Sequence, residues 1–506
     1  MNSYTQHVQQ LLQKQQISQA HQLVVENLQR NGDDHHSWYL LAEINKTAGD
    51  LAKARQILQK AAALAPLPLY LTELAKCYYQ LGALDECQQT LEQLQYNDLD
   101  DAVVLDTLGN LHTRLGNYPQ AHELYTRATA LANNNPDILL NGAISHTVMA
   151  QPEQAEHLLQ QALSVAPDHV KAHLMFAEQS PASAAGDHIE QLQALLDTPR
   201  PATEQQLVYH AMALQYEKLK QYQQAFQCFK QSKNAVASNI HFAADKHRAF
   251  CHSLITQAPE LNQLAHSEQA PIFVMGMPRS GTTLVDKLLQ QSPEVASLGE
   301  LNDLPLAVKH IAGNQDPAVL SPGIMAAAAK APLNGLYERY AQRYQSLKGQ
   351  HARGCDKQPF NFYYIDFILA CFPSAKIILM LRGKEDCCIA NYRQAYQVQS
   401  PFHHYAFSLD NIKAFYDDYA MLAPHFANKY PAQVKLQHYE QLVSRKAPEV
   451  KALYDFCDLP WQENSLEFYN TPHACATASK LQIRQPLNSK SIGYWRNYQA
   501  QWHCGG

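Results

Sequence analysis

The sequence predicts two architectures in series, an α-helical solenoid over the first half and an α/β domain with a mainly parallel sheet over the second. Two observations predict them. Small and bulky apolar residues recur up to residue 240 with a period of about 34 residues, the length of one antiparallel helix pair. Beyond residue 270 an apolar run opens into the glycine-containing turn PRSGTTL at 278–284 and then into a stretch of helical apolar spacing, which is the order strand, turn, helix. A length of 506 residues accommodates both, each with its own core. The composition, 46% apolar and 17% charged, is that of a globular chain, and a net charge of −6 leaves no electrostatic footprint for nucleic acid.

The repeats are clearest in their small residues. Trp38, Leu41, Ala42, Ala54, Leu58, Ala61 and Pro66 set the frame. It recurs as Leu71, Leu74, Ala75, Tyr78 and Leu91, and again as Leu105, Leu108, Gly109, Ala121, Tyr125 and Ala128. Two later copies hold Ala143, Ala155, Leu159, Ala162 and Pro167, then Ala213, Tyr216, Ala225 and Phe229. Residues 1–34 fit as an atypical cap through Ala20 and Val24, and 170–204 fits as an irregular copy interrupted by SPASAAGD. This pattern resembles the tetratricopeptide repeat, which implies a curved solenoid that binds a protein or peptide. The expected organisation is a repeat domain over 1–240, a connecting helix and linker over 241–270, and the α/β domain over 271–506.

In the second half, the strand at 271–277 leads into a turn whose backbone N–H groups, with the dipole of the following helix, suit a phosphate. The spacing from Gly276 to Gly281 is that of a nucleoside triphosphatase loop, but Thr282 and Thr283 stand where such a loop carries its lysine and its metal-binding hydroxyl. The next apolar strand, 377–381, ends in Arg382 rather than in a metal-binding aspartate. Anion binding without a metal is expected, and a nucleotide kinase is disfavoured.

Seven blocks, PRSGTTL, LGE ending at Glu300, DKQPFNF at 356–362, LRGKEDCCIANYRQ at 381–394, HYEQLV at 438–443, DLPW at 458–461 and QPLNSKSIGYWRNY at 485–498, resemble the sulfotransferases and most of all the tyrosylprotein sulfotransferases. The resemblance implies a P-loop-like fold and transfer of a sulfonate group from 3′-phosphoadenosine 5′-phosphosulfate to a hydroxyl, protein tyrosine among the acceptors. It implies that Arg279, Ser280, Gly281, Thr282 and Thr283 hold the phosphosulfate, with Arg279 also reaching the reacting centre. Glu300, 21 residues after Arg279, is the implied general base, and Lys357 the cation that stabilises the leaving oxygen. Arg382 is the implied 3′-phosphate ligand, Tyr439 an adenine contact, and Ser479 and Lys490 ligands from the C-terminal segment.

Two positions depart from the family. Ala390 replaces a serine, which removes a hydrogen bond to the 3′-phosphate worth on the order of 1.5–3 kcal/mol unless Asn391, Arg393 or water substitutes. Tyr494 replaces a basic residue before Trp495, a charge that Arg484, Lys490 or Arg496 could supply. These departures leave open a competing reading, an interaction scaffold whose α/β domain is inactive or only binds nucleotide. The 24 histidines include the adjacent pairs His35-His36 and His403-His404, which lack a third ligand at useful spacing, so no metal is expected. Eleven scattered cysteines, the lack of an apolar run near the ~20 residues a bilayer needs, and an N-terminus without a secretory pattern make a cytoplasmic chain the expectation. Neither a membrane nor nucleic acid is an expected partner, and a homodimer is left open.

Overall fold

A computed structural model describes residues 3–81, 83–257, 261–264, 270–313, 318–470 and 485–504. By compactness the chain divides into Met1–Ala172 and His173–Gly506.

The first unit is a run of antiparallel helix pairs: Ser3–Gln13 with Ile17–Arg30, His35–Thr47 with Leu51–Leu64, Pro68–Gln80 with Leu84–Leu91, Ala102–Arg114 with Tyr118–Leu131, and Pro136–Val148 with Pro152–Val165. Their starts are specified locally. Asp34, Asp50, Asp101 and Asn135 cap helices by accepting hydrogen bonds from first-turn N–H groups, and proline occupies the first turn at Pro68, Pro136 and Pro152. The alanines of the repeat frame, Ala42, Ala54, Ala61, Ala75, Ala128, Ala143, Ala155 and Ala162, are wholly buried, because only a methyl group fits where two helices approach closely. The first two helices, in the segment read as a cap, also form a complete pair, with Val8, Ala20 and Val24 wholly buried.

The second unit contains a five-stranded, all-parallel sheet: β1 (Ile272–Gly276), β2 (Val295–Gly299), β3 (Arg353–Asp356), β4 (Lys376–Leu381) and β5 (Val434–His438), in the order β2-β3-β1-β4-β5. Both faces are covered, as an all-parallel sheet requires. Ile272, Val274, Ile378 and Met380 pack with Val285, Leu288, Leu442 and Tyr454 on one face. Phe273, Met275, Ile377 and Leu379 pack with Tyr340, Phe362 and Tyr419 on the other. Ala213, Ala225, Phe226 and Phe229, from helices Ala202–Lys218 and Tyr222–Ala235, belong to that second core, as do Phe250, Cys251 and Leu254 of helix Ala244–Thr256. The last helices of the repeat pattern therefore share their interior with the sheet.

The chain leaves β1 toward β2 on one side and leaves β4 toward β5 on the other. A crevice between the carboxyl ends of β1 and β4 follows, the usual ligand position in such sheets. Among the described residues no helix is long and apolar enough to cross a membrane.

Candidate active site

Every strand delivers a polar residue to the same end of the sheet. After β1, the chain turns through Arg279 at φ +68° and Gly281 at φ +107° before entering helix Thr282–Leu289. The Ser280 N–H closes the turn on the Met277 carbonyl at 3.1 Å. A helix beginning here leaves its first N–H groups without intrahelical partners, so Gly281, Thr282 and Thr283 aim theirs at the crevice. Ser280 is 1% exposed, and its Oγ, fully buried, has no hydrogen-bond partner among the described residues. Burial holds the Arg279 pKa below its ordinary value, and the Arg393 and Arg382 cations press the same way. An anion seated on the loop would relieve that crowding and satisfy the Ser280 hydroxyl, so this cradle fits a phosphate or sulfate group.

Gly281 also meets the end of β5. A Cβ there would lie 2.7 Å from the Tyr439 ring, and its φ is one that L-residues rarely adopt. Gly281→Ala is expected to cost about 1–3 kcal/mol of stability, read as a lower urea midpoint at unchanged slope. An unchanged midpoint would mean that the turn can be rebuilt without this glycine.

Glu300 follows β2 and Lys357 follows β3, and the Lys357 N–H donates to the Gly299 carbonyl at 2.9 Å. The two side chains form an ion pair. Its partners differ in setting: the Lys357 side chain is 1% exposed and the Glu300 side chain 47%. A buried ammonium needs a counter-charge, and the carboxylate that supplies it can still reach solvent and substrate.

Behind Lys357 lies Asp356, wholly buried, which accepts hydrogen bonds from the Tyr340 hydroxyl (2.9 Å) and Asn361 Nδ2 (3.3 Å). Burial pushes its pKa up to about 7, the Tyr340 bond and Lys357 opposing. A carboxyl raised in this way binds its proton more tightly folded than unfolded, so stability falls as pH rises from about 4 to about 7, by up to roughly 1.4 kcal/mol per pH unit. Asp356→Asn, which keeps an acceptor for Tyr340, is expected to flatten that slope and to gain most over the native chain above pH 7. Parallel stability–pH curves for the two chains would refute it.

Arg382 follows β4 and is 8% exposed. It donates to the Arg279 carbonyl (2.9 Å) and the Ser491 carbonyl (2.8 Å), and its guanidinium lies 4.9 Å over the Tyr439 ring. Its Nε is buried and has no partner among the described residues. The Tyr439 hydroxyl is 2.7 Å from Ser491 Oγ. Arg382 and Tyr439 thus tie the loop to the C-terminal segment. Asp386 fastens that segment further, accepting from the N–H groups of Gly493 (2.6 Å) and Trp495 (2.9 Å). Lys490 is exposed just before Ser491. Ser479 and Arg484 lie outside the described residues.

The residues that might stand in for the serine replaced by Ala390 are committed elsewhere. Asn391 donates to the Pro278 carbonyl (2.7 Å) and accepts from the Tyr396 and Tyr405 hydroxyls at 3.0 and 2.9 Å. Arg393 holds Glu217, from helix Ala202–Lys218, through bonds of 2.5 and 2.6 Å. Tyr494 stacks on that arginine at 4.6 Å and donates to Glu217 at 3.3 Å, and Tyr498 donates to the same carboxylate. In this chain a tyrosine bonded to a carboxylate from another helix stands where the resemblance implies a basic residue.

Patterning missed Asp386, Glu217 and a group beside Glu300. There His403 stacks on Tyr396, ring centroids 4.4 Å apart, with Phe360 edge-on at 5.3 Å. Asp386 sits inside the LRGKEDCC block and Phe360 inside DKQPFNF, whereas Glu217, Tyr396 and His403 lie outside all seven blocks.

Among the described residues one His–Cys–carboxylate cluster has metal-like spacing, His247, Cys251 and Asp418. Its polar atoms are already engaged: His247 bonds Asp418 and Tyr363 at 2.7 Å each, and Arg248 donates to Asp418 at 3.1 Å.

Residues 271–463 match the sulfotransferase family, and residues 5–67 and 112–178 match two tetratricopeptide repeat families. An uncharacterized protein of Aquifex aeolicus (strain VF5) is 29% identical over 366 residues, 70% of this chain and 47% of that one. A putative protein-tyrosine sulfotransferase of Caenorhabditis briggsae is 26% identical over 240 residues, 46% of this chain and 82% of that one. The protein-tyrosine sulfotransferase of Drosophila melanogaster is 24% identical over 263 residues, 46% of this chain and 49% of that one. The chain spans about half the length of the Aquifex and Drosophila relatives it matches.

Proposed function

Since this chain carries a sulfotransferase-family domain behind tetratricopeptide repeats, we propose that it transfers a sulfonate group from 3′-phosphoadenosine 5′-phosphosulfate to a hydroxyl, with a protein tyrosine as the acceptor. The observation that carries this reading is the Lys357–Glu300 pair next to the loop: a buried cation and an accessible carboxylate within one anion-binding crevice. In-line sulfonate transfer needs those two charges. Glu300 takes the acceptor proton as the acceptor oxygen bonds to sulfur, and Lys357 and Arg279 meet the charge that gathers on the leaving phosphate oxygen as its bond to sulfur breaks.

The phosphosulfate would rest on the N–H groups of Gly281 to Thr283 and the hydroxyls of Ser280, Thr282 and Thr283. Arg382 and Tyr439 flank the remainder of the nucleotide, with Lys490 and Ser479 contributed by the C-terminal segment. The repeats bind the polypeptide that carries the acceptor, or a partner that brings it. The curated relatives with tyrosine-sulfotransferase names support the acceptor class.

The test has two stages. Thermal shift should respond to 3′-phosphoadenosine 5′-phosphosulfate and to 3′,5′-ADP but not to ATP, and labelled sulfonate should then reach tyrosine peptides in preference to oligosaccharides. No shift with the first two ligands would end the donor assignment. Label on sugars alone would end the tyrosine assignment.

A further inference from the structure

The segment after Tyr396 makes one side of the site, and the reaction described above leaves it without a task. It contains the 3-10 helix Pro401–Phe407, where two adjacent histidines point apart. His404 is buried and turned into its own fold, its Nε2 2.8 Å from the Val398 carbonyl and its Nδ1 accepting from the His241 N–H at 3.1 Å. His403 lies within electrostatic reach of Glu300. Its ring stacks on Tyr396 with 15° between the planes, Phe360 meets it edge-on, and Phe360 itself stacks on Phe402 at 5.4 Å.

Three connections fix where that ring stands. Phe360 lies three residues beyond Lys357. The Tyr396 hydroxyl bonds Asn391, which holds the Pro278 carbonyl next to Arg279. The Glu300 carboxylate acts electrostatically on both His403 and Tyr396, and Arg279 acts on Tyr396. The imidazole therefore packs against Phe360, three residues beyond Lys357, and against Tyr396, within electrostatic reach of Glu300.

Its chemistry follows from its neighbours. His403 Nδ1 is 2.9 Å from Ser400 Oγ. The serine hydroxyl can donate to Nδ1 or accept from it; where it donates, the ring carries its proton on Nε2, on the opposite edge. Burial drives the pKa of the ring down to about 4, with Glu300 opposing and His404 adding to the fall. At neutral pH the ring is uncharged.

We infer that His403 is an acceptor-binding residue: Ser400 sets its tautomer, Tyr396 and Phe360 fix its plane, and its Nε2–H donates to the acceptor hydroxyl oxygen whose proton faces Glu300. The inference rests on the sulfonate-transfer reading and assigns a residue outside the seven blocks that carry it. The acceptor oxygen is thereby held from two sides, by a donor on His403 and an acceptor on Glu300, which fixes the lone pair that must point at sulfur.

His403→Phe keeps the stack on Tyr396 and removes the N–H, whereas His403→Gln keeps a donor. With a tyrosine peptide as acceptor and 3′-phosphoadenosine 5′-phosphosulfate as donor, His403→Phe is expected to raise the acceptor KM about tenfold. The same variant should leave the 3′,5′-ADP dissociation constant and the melting temperature at native values. His403→Gln should recover most of the loss. Ser400→Ala, which frees the tautomer, should reproduce part of it. An unchanged acceptor KM in His403→Phe overturns the inference, as does a His403→Gln chain as impaired as His403→Phe. If the native chain binds 3′,5′-ADP but labels no tyrosine peptide, the acceptor reading of the preceding section has failed, and the inference falls with it.

Discussion

Replacing Glu300 with alanine should lower sulfonate transfer by about 10²–10⁴-fold, the range for a lost general base, while 3′,5′-ADP still binds. Two effects combine in that variant, because Glu300 is also the counter-charge of Lys357. Removing it strands an ammonium whose side chain is 1% exposed, and the chain should lose stability as well as turnover. Glu300→Gln separates the two. Its amide oxygen can still accept from Lys357 but carries no charge, so less stability should be lost than in Glu300→Ala, yet it cannot take a proton and turnover should stay low. Native turnover in Glu300→Gln would place the base elsewhere, with His403 the first alternative to test.

The second large effect is expected far from the chemistry in sequence. Glu217 is the common acceptor for Arg393, Tyr494 and Tyr498, so Glu217→Ala uncouples helix Ala202–Lys218 from the C-terminal segment in a single step. Breaking a buried pair by removing one partner costs about 3–5 kcal/mol, and the lower figure applies because 26% of the Arg393 side chain still reaches water. A melting temperature lower by roughly 5–10 °C is expected. Nucleotide affinity should fall too, since Arg382, Tyr439 and Asp386 all hold the segment that Glu217 anchors. Glu217→Gln keeps an acceptor for both tyrosines and should lie between the two. A Glu217→Ala chain that melts and binds like the native one would reduce this contact to an incidental one.

How far the sequence reveals the molecule depends on the range of the interaction concerned. Arg382 directly follows the apolar strand Lys376–Leu381, a local signal, whereas Glu300, Lys357 and Tyr439 follow strands of mixed character, VASLG, RGCD and VKLQH, and were marked only by the blocks that resemble the sulfotransferases. The helix pairs were legible because alanine at close helix contacts recurs with the repeat. Ala20 and Val24 were read as an atypical cap, yet the first two helices form a full pair, with Val8 on the first helix in place of the bulkier residues of the other copies. The bond between Glu217 and Arg393 spans 176 residues, and the pattern around Glu217 is that of any repeat helix. Nothing local distinguishes a helix whose outer face meets water from one that shares a core with a sheet. Asn391 and Arg393 looked available to replace the missing serine for the same reason: their neighbours in space, Pro278 and Glu217, are remote in the chain.

The strand order β2-β3-β1-β4-β5 has a consequence for how the site comes into being. β1 lies at the centre, so its loop cannot be completed by anything translated shortly before or after it. The hydrogen bonds from Arg382 that close the crevice span 103 and 109 residues. Such contacts must wait for long loops to close, and they form late on any folding route. In the finished molecule a ligand bridging the loop, Arg382 and the C-terminal segment ties together the contacts made last, so it should act chiefly by slowing unfolding rather than by hastening folding.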